Sequence, residues 1–158
     1  MAVNLLDTAL GGVLRNAQTI SFPVIWRAVF QDVKFKTMIL DWIRWDQLYS
    51  QGVDEFGRII GYYSEYTEII NPSKVAGTPF TLYDTGDFYR SLYIYVTNDS
   101  FFIDGESVKT DENGATKDLF VEYGQGIVGL TDENRTRLAN ELITRFQMEY
   151  ERLLFGNR

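Results

Sequence analysis

Residues 92–103 read Leu-Tyr-Ile-Tyr-Val-Thr-Asn-Asp-Ser-Phe-Phe-Ile, and this stretch decides the fold. Two runs rich in β-branched and aromatic residues flank the dipeptide Asn98-Asp99. Such runs are typical of strands, and Asn and Asp tolerate the positive φ that a two-residue hairpin turn requires. The sequence therefore predicts an antiparallel β-hairpin at 92–103.

One long helix is predicted on each side of the hairpin. Pro23 suits the first turn of a helix that would run from about residue 22 to 50. The last helix would begin with Thr131 as N-cap and end before Gly156, a usual residue just past a helix end. Its apolar residues recur at helical spacing and form a stripe at Leu138, Leu142, Phe146, Tyr150 and Leu153.

The helix predicted at 22–50 carries an unusually aromatic stripe, formed by Phe35, Met38, Ile39, Trp42, Ile43, Trp45 and Tyr49. A stripe at spacings of three and four usually faces the core. Aromatic residues make up 15% of the chain, which is more than one small core requires. The stripe could therefore also face a partner protein.

A length of 158 residues fits a single α+β domain, with an antiparallel sheet packed by the two long helices. Residues 1–20 are predicted to form a short N-terminal helix or arm, because apolar residues recur at helical spacing between 4 and 17. Two segments, 71–81 and 105–117, are predicted to be loops. Pro72 and Pro79 exclude a central strand from the first, and the second is rich in polar residues.

The amino-acid composition excludes several kinds of functional site. The chain has no Cys and no His, which excludes disulfides, thiol nucleophiles, Cys/His zinc sites and a histidine base. Its net charge of -7 and scattered Lys and Arg disfavour tight nucleic-acid binding. The negative charge either keeps the protein in solution or lines a passage through which DNA slides. With neither a signal peptide nor an apolar membrane span, the chain is expected to stay off membranes and to be synthesised in the cytoplasm.

The tripeptide Asp84-Thr85-Gly86 is the active-site signature of aspartic proteases, and Ile127-Val128-Gly129 resembles a later element of those enzymes. The chain has one such aspartate, so catalysis would require a homodimer in which two carboxylates share a proton. The next residue is small in that family, whereas here it is Asp87. A small aspartyl hydrolase therefore stays an alternative hypothesis.

Two other interpretations of these carboxylates remain open. A carboxylate site for Mg²⁺ or Ca²⁺ would use Asp84, Asp87, Asp104 and Glu106. Alternatively, residues 84–87 form a turn and a helix start, with Thr85 as the capping residue and Asp87 in the first turn. We favour the turn, so the sequence predicts no catalytic residue, no cofactor and no metal ligand.

Three ordered motifs carry a family resemblance. The first runs through Gln47-Leu48-Tyr49, Gly52-Val53-Asp54, Gly57, Gly61, Tyr63-Ser64 and Thr67. The second comprises Thr81, Leu82, Asp84, Thr85, Gly86, Asp87, Phe88 and Ser91, and the third Tyr123, Gly124, Ile127, Gly129, Leu130, Thr131 and Glu133. Together they resemble the virion-morphogenesis and tail-completion proteins of tailed bacteriophages, and most closely the version in crAss-like phages. In those relatives a Gly-Leu-Thr or Gly-Leu-Ser sequence opens the final helix.

The resemblance covers roughly residues 45–150, about two-thirds of the chain. It implies a non-enzymatic neck, head-tail connector or tail-completion subunit, located in the virion and assembled as a homo-oligomeric ring. The implied partners are the portal and other neck or tail proteins, with DNA as passing cargo. A generic oligomeric binding module outside phages is a further alternative.

Overall fold

The computed structural model describes residues 9–110 and 114–156, and their fold is α+β, as predicted. The first four described elements are helical: α1 (Ala9–Thr19), α2 (Phe22–Gln31), α3 (Val33–Asp41) and a π-helix (Trp42–Gln51). Two short helices, α4 (Glu65–Ile70) and α5 (Asp87–Ser91), lie before the strands β1 (Tyr93–Val96), β2 (Phe101–Asp104), β3 (Val108–Thr110) and β4 (Thr116–Asp118). The chain ends with α6 (Leu119–Tyr123), a 3-10 helix (Gln125–Val128) and α7 (Asp132–Phe155).

The predicted single helix at 22–50 is wrong, because the chain bends at Asp32. The backbone of this residue is extended, with ψ of 107°, and its side chain accepts a hydrogen bond from the N–H of Lys34 at 2.9 Å. Asp32 thereby ends α2 and caps α3. Its carboxylate also pairs with Arg145 of α7 at 2.9 Å, which fixes the bend against the last helix. Pro23 does lie in the first turn of α2, as predicted.

The predicted hairpin is confirmed, with Val96 opposite Phe101 and Tyr93 opposite Asp104. Its turn differs from the prediction, because neither Asn98 nor Asp99 has a positive φ. Instead, the N–H of Thr97 donates to the carbonyl of Ser100 at 2.8 Å, and the Thr97 hydroxyl accepts from the N–H of Ser100 at 3.2 Å. One backbone bond thus closes the turn, and the Thr97 side chain accepts the second N–H.

The segment 105–117 is not one loop as predicted, since it contains most of a second hairpin. β3 pairs antiparallel with β4, and Lys109 lies opposite Lys117. β1 and β2 form a separate two-stranded sheet, so the described chain has two small sheets instead of the expected single sheet. The polar composition misled the prediction because both strands are half-exposed. The loop at 71–81 is confirmed apart from one bridge between Tyr62 and Pro79.

The core lies between α2, α3, the π-helix, the β1–β2 hairpin and α7. Its most deeply buried side chains are Phe35, Ile39, Ile43, Leu48, Phe88 and Ile127. The residues of the predicted aromatic stripe differ in exposure: Trp42 is buried, whereas Trp45 and Tyr49 are 44% and 51% exposed. In α7, Leu138 is buried and Tyr150 is 42% exposed. Leu142, Phe146 and Leu153 are partly buried against the core, so the predicted α7 stripe faces the core except at Tyr150.

The predicted N-terminal helix is present as α1, which packs along the end of α7. The Asn16 side-chain amide donates to the carbonyl of Leu154 at 3.1 Å. Leu5 and Leu6 of the predicted stripe lie outside the described residues. No helix of the described chain is both long enough and apolar enough to cross a bilayer.

Candidate assembly site

The segment 84–87 forms a turn that opens α5. Gly86 is the N-cap residue and has a φ of 81°, a conformation that favours glycine. Thr85 therefore precedes the cap instead of being the cap, which corrects the prediction. Its hydroxyl donates to the Asp87 carboxylate and accepts from the N–H of Asp87 at 3.4 Å. The hydrogen bond from Thr85, and then the one from Arg90, hold the pKa of Asp87 below its usual value.

Three of the four carboxylates considered for a metal site have separate partners. Asp84 pairs with Lys74 at 3.1 Å, and Asp87 pairs with Arg90. Asp104 accepts from the N–H of Gly105 at 2.8 Å. Within residues 9–110 and 114–156, no three potential metal ligands of the Asp, Glu, His or Cys type lie close enough to share an ion. The geometry therefore does not favour the carboxylate-metal hypothesis.

Phe88 and Ser91 hold α5 in place. Phe88 is 1% exposed and belongs to the core. The Ser91 hydroxyl donates to the carbonyl of Phe88 at 2.8 Å and accepts from the N–H of Glu106 at 2.8 Å. This second bond connects α5 to the segment that leaves β2. Both motif residues thus support the fold.

Tyr89, between them, is buried beside an aromatic group at the surface. Its ring lies 5.6 Å from that of Trp45 and 5.2 Å from that of Tyr83. Burial, and then the neighbouring tyrosines, raise the pKa of Tyr89 above its usual value. The raised pKa keeps the phenol neutral. Its hydroxyl donates a hydrogen bond to the carbonyl of Thr81.

Tyr123 and Gly124 form the junction between α6 and the 3-10 helix. The Tyr123 hydroxyl accepts from Lys117 at 2.8 Å, and Lys117 also pairs with Glu122 at 2.8 Å. Gly124 has a φ of 81°, which turns the chain towards Gln125–Val128. These two residues hold α6 against β4.

Gly129, Leu130 and Thr131 meet Gln47 of the π-helix. The Gln47 amide donates to the carbonyl of Gly129 at 2.9 Å, and its oxygen accepts from the N–H of Thr131 at 3.0 Å. Gln47 is fully buried, and Leu130 lies in the core. Thr131 caps α7 as predicted, by accepting from the N–H of Asn134 at 3.4 Å. Gln47 of the first motif is thus bonded to Gly129 and Thr131 of the third, whereas the second-motif residues 84–91 cluster separately around α5.

The role of Gln47 was missed, although the residue opens the first quoted motif. A glutamine beside Trp42, Ile43 and Leu48 in a buried stripe is a signal of an internal hydrogen-bonding residue, because burying an amide without partners is unfavourable. Its partner in α7, Asn134, is 87 residues away. Spacing in the sequence does not indicate a contact at that separation.

Glu55 docks the turn after the π-helix against the glycines of the third motif. Its N–H donates to the carbonyl of Gly126 at 2.9 Å, and its carboxylate pairs with Arg135 at 3.0 Å. A Cβ on Gly129 would lie 2.5 Å from the Glu55 carboxylate and 2.7 Å from its Cβ. Glycine is therefore required at 129 by close approach, not by backbone conformation, since its φ is -76°.

The glycines of the first motif close the base of the segment 52–81. A Cβ on Gly52 would lie 2.5 Å from the Cβ of Pro79, and one on Gly61 would lie 2.5 Å from the Phe80 ring. The N–H of Phe80 donates to the carbonyl of Gly61 at 2.8 Å, and that of Tyr63 donates to Thr78 at 3.0 Å. The two sides of the segment are therefore bonded to each other, and α4 is held at its tip.

Helix α4 has no buried residue. Tyr66, Ile69 and Ile70 are 72%, 78% and 67% exposed. The helix is capped by Ser64, whose hydroxyl accepts from the N–H of Thr67 at 3.2 Å. It therefore forms an ordered, apolar projection. We call residues 65–70 the α4 projection.

Further large apolar side chains are exposed on the outer face of the β1–β2 hairpin. Tyr95 and Phe102 lie opposite each other in the register and stack with ring centroids 4.9 Å apart. Tyr93, Tyr95 and Phe102 are each about half exposed. Large contiguous apolar patches on a protein surface mark contact sites for other proteins. Comparisons with protein-family models, curated proteins and solved structures gave no match for this chain.

Proposed function

We propose that the chain is a structural subunit of a tailed-phage virion. It assembles with copies of itself into a ring in the neck, head-tail connector or tail-completion region. Its other partners are the portal and neighbouring neck or tail proteins, and DNA passes through as cargo. The resemblance of the three ordered motifs to tail-completion proteins and the apolar projection of the fold both support this role.

The observation that carries the proposal is the exposure of the α4 projection. A six-residue helix is too short to be stable by itself, and α4 buries nothing in the core. Exposing Ile69 and Ile70 to water costs free energy that burial in an interface would recover. An assembly subunit accounts for both features, because the helix gains its buried environment from a neighbour.

The hydrogen bonds of the motif residues support the same role. Gln47, Gly129 and Thr131 fix the start of α7, while Gly52 and Gly61 close the base of the segment that carries α4. The contacts of these residues fix where the helices lie relative to each other. They suit a protein whose function depends on presenting surfaces in fixed relative positions.

The charge of the chain is compatible with a channel for DNA. The net charge of -7 would repel the phosphate backbone and leave it free to slide. Tight binding inside a neck would obstruct passage, so a repulsive lining serves this role better than a basic one. The proposal includes no catalytic step.

Light scattering on the purified protein, alone and mixed with a portal protein from a crAss-like phage, tests the proposal. We expect a discrete oligomer several times the mass of 18.3 kDa, and rings in electron micrographs. A protein that stayed monomeric at all concentrations, with and without portal, would overturn it. Peptide cleavage that disappears in Asp84→Asn would instead support the hydrolase alternative.

A further inference from the structure

We infer that the α4 projection of one subunit docks on the bend between α2 and α3 of a second copy of the chain. We call this receiving surface the α2–α3 corner; it comprises Val24 and Arg27 on α2 and Val33 and Lys34 at the start of α3. The inference rests on the proposed function and names the contact that repeats around the ring. Its basis is the apolar character, the charge and the position of the two surfaces.

The α4 projection is acidic as well as apolar. Glu65 and Glu68 lie in its first turn, and neither forms a salt bridge with another described residue. The Glu68 carboxylate accepts from the N–H of Ala76 at 2.9 Å, which holds it in place. Exposed Tyr66, Ile69 and Ile70 complete the surface. The projection therefore offers apolar contact with negative charge beside it.

The α2–α3 corner has the opposite charge and two exposed valines. Val33 is 69% exposed and Val24 is 44% exposed. The cations Arg27 and Lys34, and nearby Lys36, take part in none of the salt bridges of residues 9–110 and 114–156. Most other Lys and Arg side chains of these residues are paired within the subunit. The corner thus retains positive charge for a partner.

The two surfaces lie at opposite ends of the segment α5–β1. Lys74, in the loop after α4, forms an ion pair with Asp84, which lies just before α5. On the other side, Arg27 of α2 lies at the hairpin turn, where it donates to Asn98 and neighbouring Trp26 donates to the carbonyl of Thr97 at 3.1 Å. One subunit therefore presents projection and corner at separate places, as a head-to-tail contact requires.

A second copy is the occupant because each copy carries both complementary surfaces. Contacts between different patches of identical subunits repeat from one subunit to the next, and they close into a ring when the rotation permits. Complementary charge beside an apolar contact favours the correct docking orientation. By contrast, Tyr95 and Phe102 on the hairpin face already stack on each other within one subunit.

Crosslinking provides the sharpest test, because the chain has no native cysteine. The double variant Ile69→Cys/Val33→Cys is treated with a short bismaleimide and separated by denaturing electrophoresis. We expect a ladder of dimers, trimers and larger species, since each subunit contributes one cysteine to each of two contacts. The matched control Ile69→Cys/Ile143→Cys places the second cysteine on α7, where Ile143 is 67% exposed, and should give no ladder.

Charge exchange provides the second test. Glu65→Lys and Lys34→Glu should each weaken self-association by up to about fivefold per contact, the effect of one exposed ion pair. The combination Glu65→Lys/Lys34→Glu should restore association, because the opposite charges then face each other again. Glu151→Lys on the outer surface of α7 is the control and should leave the oligomer unchanged. Circular dichroism verifies that each variant is folded.

The outcomes separate this inference from the proposed function. An oligomeric wild-type protein whose crosslinking is no stronger for the 69/33 pair than for the 69/143 pair overturns the inference and leaves the ring proposal standing. A wild-type protein that is monomeric at every concentration overturns both. A ladder specific to the 69/33 pair, together with restoration in the charge exchange, confirms the contact.

Discussion

Gln47 and Asn134 are joined by a buried hydrogen bond of 2.7 Å, which the Asn134 amide donates to the Gln47 oxygen. The same oxygen accepts from the N–H of Thr131, and the Gln47 amide donates to the carbonyl of Gly129. One side chain of the π-helix therefore determines where α7 begins. The bonds are buried and satisfied, which is when such a network specifies an arrangement most strongly.

Replacing Gln47 with Leu should destabilise the protein by about 3 kcal/mol, because Asn134, Thr131 and Gly129 would keep buried polar groups without partners. Urea unfolding at pH 7 measures the loss. Gln147→Leu, on the exposed side of α7, should change stability by less than about 0.5 kcal/mol. A Gln47 variant as stable as this control would contradict the structural role of the network.

Gly129→Ala and Gly12→Ala should have opposite effects. The added methyl at 129 would overlap the Glu55 side chain, so we expect a loss of about 1–3 kcal/mol. At 12 the nearest atom is the Arg15 guanidinium at 4.0 Å, and alanine is the better helix former. We therefore expect a gain of up to about 1 kcal/mol there. Thermal unfolding of the two variants checks both signs, and a stabilised Gly129→Ala would refute the close approach.

Asp54 should make stability depend on pH in the acidic range. Burial acts to raise its pKa, but hydrogen bonds from Arg58 and Phe56 outweigh burial and hold the pKa below its usual 3.8. A lowered pKa stabilises the fold above the unfolded-state value, and this contribution is lost as pH falls through the folded-state value. The advantage of wild type over Asp54→Asn should therefore be largest near neutral pH and shrink below about pH 4. Urea midpoints at pH 7 and pH 3 provide the comparison, and an unchanged difference would contradict it.

Asp84→Asn should have little effect on stability or assembly. Asp84 forms an exposed ion pair with Lys74 and caps no helix, so the loss should be below about 1 kcal/mol. Gly86→Ala is the comparison variant. Its φ of 81° strains any residue with a Cβ, so this substitution should lower the free energy of unfolding more than Asp84→Asn does. Denaturation and light scattering report both effects. A large loss in Asp84→Asn would reveal a role that its contacts do not explain.

The elements predicted well are those determined by local sequence. The hairpin strands and the Thr131 cap depend on residues a few positions apart, and both are confirmed. The bend at Asp32 was missed because an isolated Asp inside an apolar pattern does not by itself end a helix. It becomes a cap in this protein because Arg145 of α7 fixes its carboxylate. That partner is distant in sequence.

The sequence identified residues of the candidate site but not the contacts that those residues make. Asp84 and Gly86 were placed correctly just before a short helix, and Ser91 was placed correctly within it. Their functions in holding that helix depend on Lys74, Arg90 and Glu106, which no motif connects to them. The exposure of α4 was also not predicted, because its short apolar sequence is equally typical of a buried segment.

For the proposed docking of α4, the bonded base of the segment 52–81 has a consequence for the strength of association. Since Gly61 and Phe80 join its two sides before any partner arrives, the tip does not lose much conformational freedom when it is captured. Less entropy is then lost at binding, so a small contact area suffices for a measurable affinity. Loosening this base with Gly61→Val should weaken association even though residue 61 lies outside the docking helix.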